Sequence, residues 1–260
     1  MTAPLAFITA GTRRVGAAIA GELARRGWRL ALHARADATL DPALADVLAE
    51  TGVAHHQFIA DLADPEAIDR LWAEVTAWGG VPSLVVNNAS LFLDDDAASA
   101  TAVSIRRHQA VNCDAPVQLT RLLWRDTPEG QQAASVLLLD QRIAHPHGDQ
   151  FAYTLSKLAL AAALPLLARS LAPRVRVNAV APGLTLPTAD YSPAQMQRLA
   201  ALMPLERLPD PAALASAVAW LAEAPAVTGQ TIFVDGGAHL VAFDRDFVAL
   251  ERDEAVRPSP

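Results

Sequence analysis

Cysteine is nearly absent from this chain, since its 260 residues include a single one, Cys113. One cysteine cannot form an internal disulfide, and it offers no cluster of thiolate ligands for a metal ion. We therefore expect no metal site. Cys113 falls in a helical pattern, where a free cysteine most often serves packing rather than catalysis.

Positive charge is also in short supply, because 28 Asp and Glu residues outnumber 21 Lys and Arg residues and give a net charge of −7. A nucleic-acid surface needs clustered Lys and Arg to displace counterions from phosphates. The composition therefore predicts no nucleic-acid partner. Basic residues do occur early in the chain, where Arg13, Arg14 and Arg35 stand at turn or strand-end positions.

Long apolar runs are missing as well. No run reaches about 18 residues without a polar interruption, and no basic-then-apolar leader opens the chain. The sequence therefore predicts a cytoplasmic protein with no membrane partner. A hydrophobic content of 52% is enough for a substantial core, so we expect one domain over 1–243 and a peripheral extension over 244–260.

Strand-like and helix-like segments alternate along the chain. Strand candidates lie at 4–10, 28–33, 55–60, 83–87, 134–140, 173–180 and 230–234. Helical patterns lie between them near 14–26, 41–50, 65–78, 100–126, 151–170 and 211–223. This alternation predicts an α/β fold of the Rossmann type, a doubly wound parallel sheet of about seven strands with helices on both faces. Ligands in such sheets bind beyond the carboxyl ends of the strands.

The segment from 183 to 210 has no clean period and contains Pro187, Pro193, Pro204 and Pro209. Long irregular segments inside compact domains are usually functional or mobile. We therefore predict a long excursion over 183–210 between the sixth strand and the last helix.

A pair of side chains suited to proton transfer follows the fifth predicted strand. Tyr153 and Lys157 stand four residues apart in a helical pattern, so they share one helix face. A nearby ammonium favours ionisation of a phenol, which makes Tyr153 a usable acid near neutral pH. Asp140 ends the strand that precedes this helix and adds a carboxylate to the same edge of the sheet.

The first strand runs directly into a turn that is typical of dinucleotide-binding sites. Residues 5–16 read Leu-Ala-Phe-Ile-Thr-Ala-Gly-Thr-Arg-Arg-Val-Gly. Such a turn surrounds a pyrophosphate with backbone N–H groups and a helix N-terminus, and small residues allow close approach. For this segment taken alone, an ordinary strand-to-helix connection remains an alternative.

Further motifs follow the other strands in a fixed order. They are Asp61 and Leu62, then Asn88, Ala89 and Ser90, then Asn112, Asp140, Tyr153, Lys157, Pro182 and Gly183. In order and spacing, residues 3–238 resemble the short-chain dehydrogenase/reductase family. The joint match is far more specific than any one of the motifs.

Within that family, the chain most resembles the pteridine reductases and the bacterial dihydrofolate/dihydromonapterin reductases. Arg14 stands where most members have the middle glycine of the turn, and Asp140 replaces the usual serine. Phe92 follows an Asn-Ala-Ser run where other members read Asn-Ala-Gly. One further departure does not support this resemblance. The first glycine of the turn has become Ala10, and the glycine is displaced to Gly11.

The end of the second strand bears on the choice of cofactor. NAD sites usually carry an acidic residue there, whereas this strand ends with His33 and Arg35, and Asp37 lies later. With Arg13 available from the turn, NADPH is favoured over NADH. The resemblance implies a cofactor site made of Gly11, Arg13, Arg14, Val15, Gly16, His33, Arg35, Asp61, Leu62, Asn88, Ala89, Ser90, Tyr153, Lys157, Pro182, Gly183 and Leu184.

The resemblance also implies catalytic roles. Lys157 would hold the ribose hydroxyls and lower the pKa of Tyr153, Asn112 would keep a water in line for a proton relay, and Tyr153 would donate the proton. An ionised Asp140 would oppose an oxygen that becomes negative, so it suits a C=N bond better than a carbonyl. The expected substrate residues are Arg14, Ser90, Phe92, Asp140 and Tyr153, with the segment over 183–210 as a substrate loop.

Three functions remain open from the sequence. The leading hypothesis is an NADPH-dependent reductase of a pterin or dihydrofolate C=N bond. The alternatives are a carbonyl or imine reductase of another small substrate, with Asp140 kept protonated by apolar surroundings, and a non-catalytic NADP-binding sensor. By analogy with the family, we expect a homo-oligomer, most simply a tetramer.

Overall fold

The computed structural model describes residues 3–37, 39–188 and 190–251. Its strands form one parallel sheet: β1 (Leu5–Ile8), β2 (Arg29–Ala34), β3 (His55–Ile59), β4 (Leu84–Asn87), β5 (Ala133–Leu138), β6 (Val175–Pro182) and β7 (Thr231–Val234). The strand order is β3-β2-β1-β4-β5-β6-β7, so the winding reverses beside β1. The predicted doubly wound sheet is confirmed, and its crevice lies at this reversal.

Helices cover both faces of the sheet. They are α1 (Arg14–Arg25), α2 (Pro42–Thr51), α3 (Pro65–Gly79), α4 (Ala102–Gln109), α5 (Ala115–Asp126), α6 (Phe151–Leu171), α7 (Pro193–Leu202) and α8 (Pro211–Glu223). Helices α3, α5 and α6 pack on one face, where Trp72 meets Phe7 edge-on with ring centroids 6.4 Å apart. Helices α1, α2 and α8 pack on the other face against Ile8 and Leu32. Burial of each such side chain stabilises the fold by ~1.5–3 kcal/mol and fixes the strand ends.

The predicted single helix over 100–126 is instead two helices, α4 and α5, joined by a π-helical turn over Ala110–Asp114. The reason lies in Pro116, which has no N–H to donate to the carbonyl of Asn112 four residues earlier. Turns of this kind are frequent at functional sites. Here the turn directs Asn112 toward the loop after β4.

The excursion predicted over 183–210 is not irregular throughout, because it contains the helix α7. The missed signal is Ser192, whose side chain accepts a backbone N–H of the first turn, followed directly by Pro193. The same pattern of a capping side chain and then proline begins α2 at Asp41 and α3 at Asp64.

The last described residues fold back over the carboxyl edge of the sheet, and we call residues 241–251 the C-terminal segment. Asp246 and Phe247 in it are 5% and 7% exposed, and Phe247 packs against Leu199 of α7. The amide of Gln195 donates to the Leu250 carbonyl at 2.7 Å. The expected peripheral extension over 244–260 is therefore not peripheral up to residue 251, and residues 252–260 lie outside the described residues.

Helix α6 is long and apolar enough to cross a membrane by length and composition, and it is the one such helix among the described residues. Half of its most apolar window is buried inside the fold. It also contains the buried side chains of Tyr153 and Lys157. Packing against the sheet therefore accounts for the buried half of this apolar window.

Candidate active site

A large cavity opens at the carboxyl ends of the central strands. Its volume is about 500 Å³, within the range typical of small-molecule sites. Residues from separate turns and loops line it, among them Arg14, Val15, Phe92, Asp140, Tyr153, Pro182, Gly183 and Leu184. The structure therefore brings together the expected substrate residues except Ser90, which lines a neighbouring cavity.

The turn after β1 keeps the backbone shape of a glycine turn although its first glycine is missing. Ala10 has φ 49°, in the left-handed region that favours glycine, and its amide is held by a hydrogen bond. A Cβ at Gly16 would collide with the carbonyl oxygen of Ala10, so only glycine lets α1 approach the turn this closely. The amide of Asn88 fixes the same turn, donating to the carbonyls of Thr9 and Ala10, both at 3.1 Å.

His33 holds this turn rather than facing the cavity with a free nitrogen. Its Nδ1 accepts the Ala10 N–H at 3.2 Å, so the imidazole is neutral, and Nε2 donates to the Ala60 carbonyl at 3.0 Å. Burial lowers the pKa of His33, which agrees with the neutral ring. Because both ring nitrogens form hydrogen bonds with backbone groups, the role of His33 is to hold the turn in shape.

A second cavity of about 190 Å³ lies beside the turn, at the ends of β1 to β4. It is lined by Ala10, His33, Arg35, Asp61, Leu62, Ala89, Ser90, Leu91, Arg107 and Val111. Six of these were expected at a cofactor site from the sequence. Arg107 was missed, because it comes from α4 and belongs to none of the strand-end motifs.

Arg13 and Arg35, both expected near a cofactor phosphate, differ in whether their guanidinium groups are already paired. Arg13 is ion-paired with Asp37 at 2.8 Å and also donates to the Thr39 carbonyl at 3.2 Å. Arg35 is exposed and has no hydrogen-bond or carboxylate partner in the described ranges. The unpaired guanidinium at the end of β2 is therefore that of Arg35, while Arg13 is already paired with an acidic residue.

Asn112 clamps the loop after β4. Its Oδ1 accepts the Leu91 N–H at 2.7 Å, and its Nδ2 donates to the Leu91 carbonyl and to Ser156 Oγ, both at 2.9 Å. Ser90 Oγ lies 3.4 Å from the same Oδ1. Because the amide is used for these contacts, its side chain holds the loop rather than presenting an open atom for the expected relay water.

Tyr153 and Asp140 form the centre of the large cavity. The Tyr153 hydroxyl donates to Asp140 Oδ2 at 2.7 Å. Lys157 Nζ donates to the Leu138 carbonyl at 2.7 Å and lies 5.7 Å from the centre of the Tyr153 ring. Helix α6 thus presents the tyrosine and the lysine on one face, as the spacing indicated, against the end of β5.

The electrostatics of this group differ from the sequence expectation. Burial and then the charge of Asp140 raise the pKa of Tyr153 well above its ordinary value, and Arg142 opposes them, whereas the sequence predicted a lowered pKa. Burial also lowers the pKa of Lys157 to about 8, although Asp140 opposes that change. The reason is geometric, because the carboxylate touches the phenol directly whereas the ammonium is turned toward a backbone carbonyl.

A second residue that sequence reasoning missed is Arg142, which is 4% exposed. Its backbone N–H and Nε donate to Asp140 Oδ1 at 2.9 and 3.2 Å, and Nη2 donates to Asp246 Oδ2 at 2.7 Å. The guanidinium carbon lies 4.9 Å from the Tyr153 ring centre and 5.6 Å from that of Phe92. Its place two residues after Asp140 was visible in the sequence, but its partner is 104 residues away.

Phe92 forms one wall of the cavity and is 50% exposed. Its ring meets Tyr153 at 75° with centroids 4.7 Å apart. Arg14 lines the same cavity from the start of α1, with φ 54°, and has no hydrogen-bond partner among the described residues. A half-exposed aromatic ring, a hydroxyl donor and a carboxylate therefore face one space together.

The turn after β6 closes the cavity. The Gly183 N–H donates to the Val234 carbonyl at 3.1 Å, and a Cβ there would lie 2.8 Å from that of Asp235. Only glycine permits this approach of β6 and β7. In the described ranges, no group of three or more His, Cys, Asp or Glu side chains is arranged to hold a metal ion.

Comparisons with known proteins agree with this geometry. The family model described as enoyl-(acyl carrier protein) reductase matches residues 9–239. An uncharacterized oxidoreductase of Mycobacterium tuberculosis is 35% identical over 90% of this chain and 91% of its own length. Carbonyl reductase family member 4 of Xenopus tropicalis is 31% identical over 88% of this chain and 95% of its own. The crystal structure of FolM alternative dihydrofolate reductase 1 from Brucella canis, complexed with NADP, has a TM-score of 0.85 and 36% identity over 92% of this chain and 95% of that one.

Proposed function

The chain belongs to the short-chain dehydrogenase/reductase family, and we propose that it uses NADPH to reduce the C=N bond of a pterin- or dihydrofolate-type substrate. The observation that carries the proposal is the 2.7 Å hydrogen bond from the Tyr153 hydroxyl to the Asp140 carboxylate. A proton donor and a carboxylate thus meet the substrate together, beside the exposed ring of Phe92.

The carboxylate favours a C=N substrate over a carbonyl substrate. In carbonyl reduction, negative charge develops on an oxygen, and an adjacent carboxylate raises the energy of that transition state. A pterin instead presents ring nitrogens and N–H groups, which can take a proton from Tyr153 and donate to the outer lone pair of Asp140. The half-exposed Phe92 offers a flat surface against which a planar heterocycle can stack.

The residues of this chain fit NADPH. Gly16 allows α1 to pack closely on the turn at Ala10, which brings the N-terminus of α1 to the edge of the large cavity that Arg14 and Val15 line. A helix N-terminus at that place is suited to a pyrophosphate. The second cavity, with Asp61 and Leu62, is suited to the adenosine half, and the unpaired Arg35 at the end of β2 is suited to a 2′-phosphate. The FolM structure from Brucella canis is complexed with NADP. In this site, NADPH would supply the hydride.

The protein's own residues handle the proton. Tyr153 gives its hydroxyl proton to the nitrogen of the C=N bond as the neighbouring carbon receives the hydride, so the product gains one C–H and one N–H bond. Lys157, buried behind the phenol, stabilises the phenolate that remains. Asp140 fixes the direction of the hydroxyl before transfer, and Asn112 holds the loop of Ser90 and Leu91 against the site.

The experiment is a parallel assay of NADPH oxidation with dihydrobiopterin, dihydromonapterin, dihydrofolate and a panel of ketones. We expect the pterins to be reduced with kcat/KM at least about tenfold above any ketone, a difference of ~1.4 kcal/mol in transition-state binding. Methotrexate should compete, because it presents a similar flat donor-acceptor edge. Reduction of ketones alone, with no methotrexate binding in the presence of NADP⁺, would overturn the proposal.

The second candidate is a carbonyl reductase, favoured by the 31% identity to carbonyl reductase family member 4 of Xenopus tropicalis. The ketone panel tests it directly. NADPH binding without turnover of any compound would instead favour a sensor. A sensor has no need of the buried Tyr153 and Lys157, which argues against that outcome.

We also propose that the protein is a homo-oligomer. Large apolar side chains are exposed on the adjacent helices α5 and α6, where Trp124, Leu155 and Leu166 are 39%, 43% and 68% exposed. Burial of such residues between subunits would remove apolar surface from water. Light scattering coupled to size-exclusion chromatography gives the molar mass, and a monomer at micromolar concentration would contradict this proposal.

A further inference from the structure

We propose that Arg142 and Asp246 are positioning residues of this active site. Asp246 of the C-terminal segment holds the Arg142 guanidinium, and Arg142 in turn fixes the Asp140 carboxylate as the acceptor of the Tyr153 hydroxyl. The inference rests on the proposed role of Tyr153 as proton donor. It makes the C-terminal segment a working part of the site.

Arg142 divides the two oxygens of Asp140 between two tasks. Both its backbone N–H and its Nε donate to Oδ1, at 2.9 and 3.2 Å. The other oxygen, Oδ2, is left to accept the Tyr153 hydroxyl at 2.7 Å. Because both of its oxygens accept hydrogen bonds, Asp140 serves as an acceptor, and the transferable proton at this point is that of Tyr153.

The rest of the guanidinium is engaged by protein groups. Nη1 donates to Gln150 Oε1 and to Thr154 Oγ1, both at 3.3 Å, and Nη2 donates to Asp246 Oδ2 at 2.7 Å. The Arg142 side chain is 5% exposed, and that of Asp246 is 7% exposed. An arginine so fully coordinated is not available to bind an anionic substrate, and its contacts are those of a support.

Asp246 is itself held in place from both sides. Its backbone N–H donates to Asp149 Oδ2 at 2.9 Å, and its Oδ1 accepts the Val248 N–H at 2.9 Å. Arg245 also binds Asp149, with Nε 2.7 Å from the same Oδ2. The C-terminal segment therefore presents Asp246 to Arg142 in one fixed orientation.

The charged and titratable groups around this pair come from several elements. Tyr153 and Lys157 face it from α6, His147 from the loop before α6, and Tyr191 from the segment before α7. Burial is the largest cause that raises the pKa of Tyr153; Asp140 and Asp246 add to it, and Arg142 opposes it. Loss of either partner therefore changes the field at the proton donor as well as the geometry. A buried charge left without its partner is also costly to the fold.

The test begins with Asp246→Asn, using whichever substrate the wild-type protein reduces. Misplacement of Asp140 and Tyr153 should lower kcat about 10- to 100-fold while the KM for NADPH stays within about twofold. Active sites are counted by NADP⁺ binding, so misfolded protein does not enter kcat. Asp244→Asn, two residues earlier and exposed, is the matched control and should keep the wild-type kcat.

Rescue and coupling separate positioning from simple stability. Asp246→Glu restores the carboxylate and should recover a kcat above that of Asp246→Asn. In an Asp140→Asn background, Asp246→Asn should reduce kcat by less than about twofold further, because both changes act on the same hydrogen bond. If the double variant does not fold, the kcat of Asp246→Glu relative to that of Asp246→Asn decides whether Asp246 is a positioning residue.

Two outcomes would overturn this inference. One is wild-type kcat per NADP⁺ site in Asp246→Asn. The other is a loss in which kcat and NADPH binding fall together and Asp246→Glu recovers neither. A wild-type protein that reduces ketones but no pterin would contradict the proposed substrate instead, and the same variants can then be measured with the ketone.

Discussion

The two ends of the candidate site contain ion pairs of nearly equal length in opposite surroundings. Arg13 and Asp37 meet at 2.8 Å beside the turn after β1, with side chains 54% and 69% exposed. Arg142 and Asp246 meet at 2.7 Å beside Tyr153, the proposed proton donor, with side chains 5% and 7% exposed. Distance alone therefore says little about what a pair does.

The difference in exposure sets the cost of changing partners. An exposed pair is screened by water and contributes little to stability, so Arg13 can give up Asp37 when another anion arrives. A buried pair cannot be broken without leaving a charge in a poorly solvated place. The structure thus combines an adaptable end at the cofactor turn with a rigid end at Tyr153, the proposed proton donor.

The largest effect is expected at the rigid end, from Tyr153→Phe. This change removes the hydroxyl that donates to Asp140 and with it the transferable proton. Positioned acid catalysis contributes about 10²–10⁴-fold, so the rate of reduction should fall by that factor. NADP⁺ titration is the control and should show binding retained. A variant with more than about a tenth of the wild-type kcat would show that another group supplies the proton.

A smaller effect is expected from Asp140→Asn, which keeps the size of the side chain but removes its charge. The amide can still accept the Tyr153 hydroxyl, yet Arg142 then faces Asp246 alone. We expect a loss of about 10- to 100-fold in pterin reduction, with NADPH binding preserved. Asp140→Ser should lose at least as much. Wild-type rates and an unchanged pH profile in Asp140→Asn would assign the carboxylate a purely structural role.

The contrast also explains what the sequence could and could not reveal. Strand ends were readable, because apolar runs followed by Asp140 or Asn88 mark the edge where ligands bind. The contact of Arg142 with Asp246 was not, since it joins residues 104 positions apart and depends on how the C-terminal segment folds back. No periodicity in either local sequence encodes that return.

The same limit applies to individual side chains. The sequence placed Asn112 and His33 at the site. It could not show that the side chains of both residues form hydrogen bonds with backbone groups of nearby loops. It likewise missed α7, whose Ser192-Pro193 start was readable but was outweighed by the surrounding prolines. Tertiary packing decides which partner a polar side chain binds, and a local sequence pattern carries no information about that packing.

At the adaptable end, Arg35→Ala should weaken NADPH selectively. Arg35 is the unpaired guanidinium at the end of β2, so its loss should lower the ratio of kcat/KM for NADPH over NADH about tenfold, or ~1.4 kcal/mol. Asp37→Asn should shift the ratio the other way, because it frees Arg13. Arg169→Ala removes an equal charge from the far end of α6 and is the control. An unchanged ratio in Arg35→Ala would place the phosphate elsewhere.

The smallest effect concerns pH and the turn that His33 supports. Burial lowers the pKa of His33, and its Nδ1 must stay unprotonated to accept the Ala10 N–H. Well above pH ~6.5 the ring is neutral in both the folded and unfolded states, so it adds no pH dependence. As the pH falls below that value, the unfolded state takes up a proton that the folded state refuses, and the free energy of unfolding decreases. At pH 6 this amounts to at most about 0.8 kcal/mol.

Urea unfolding between pH 5.5 and 7.5 measures this dependence in the wild type and in His33→Gln. Burial also lowers the pKa of His147, so its loss of protons on folding affects stability in the same direction, and His147→Gln is compared in parallel. His33→Gln should flatten the fall in stability below pH 6.5. Because His33 joins the cofactor turn to β3 through Ala60, the same variant should also bind NADP⁺ more weakly. An equal slope in His33→Gln and the wild type would mean that the imidazole accepts its proton without losing the turn.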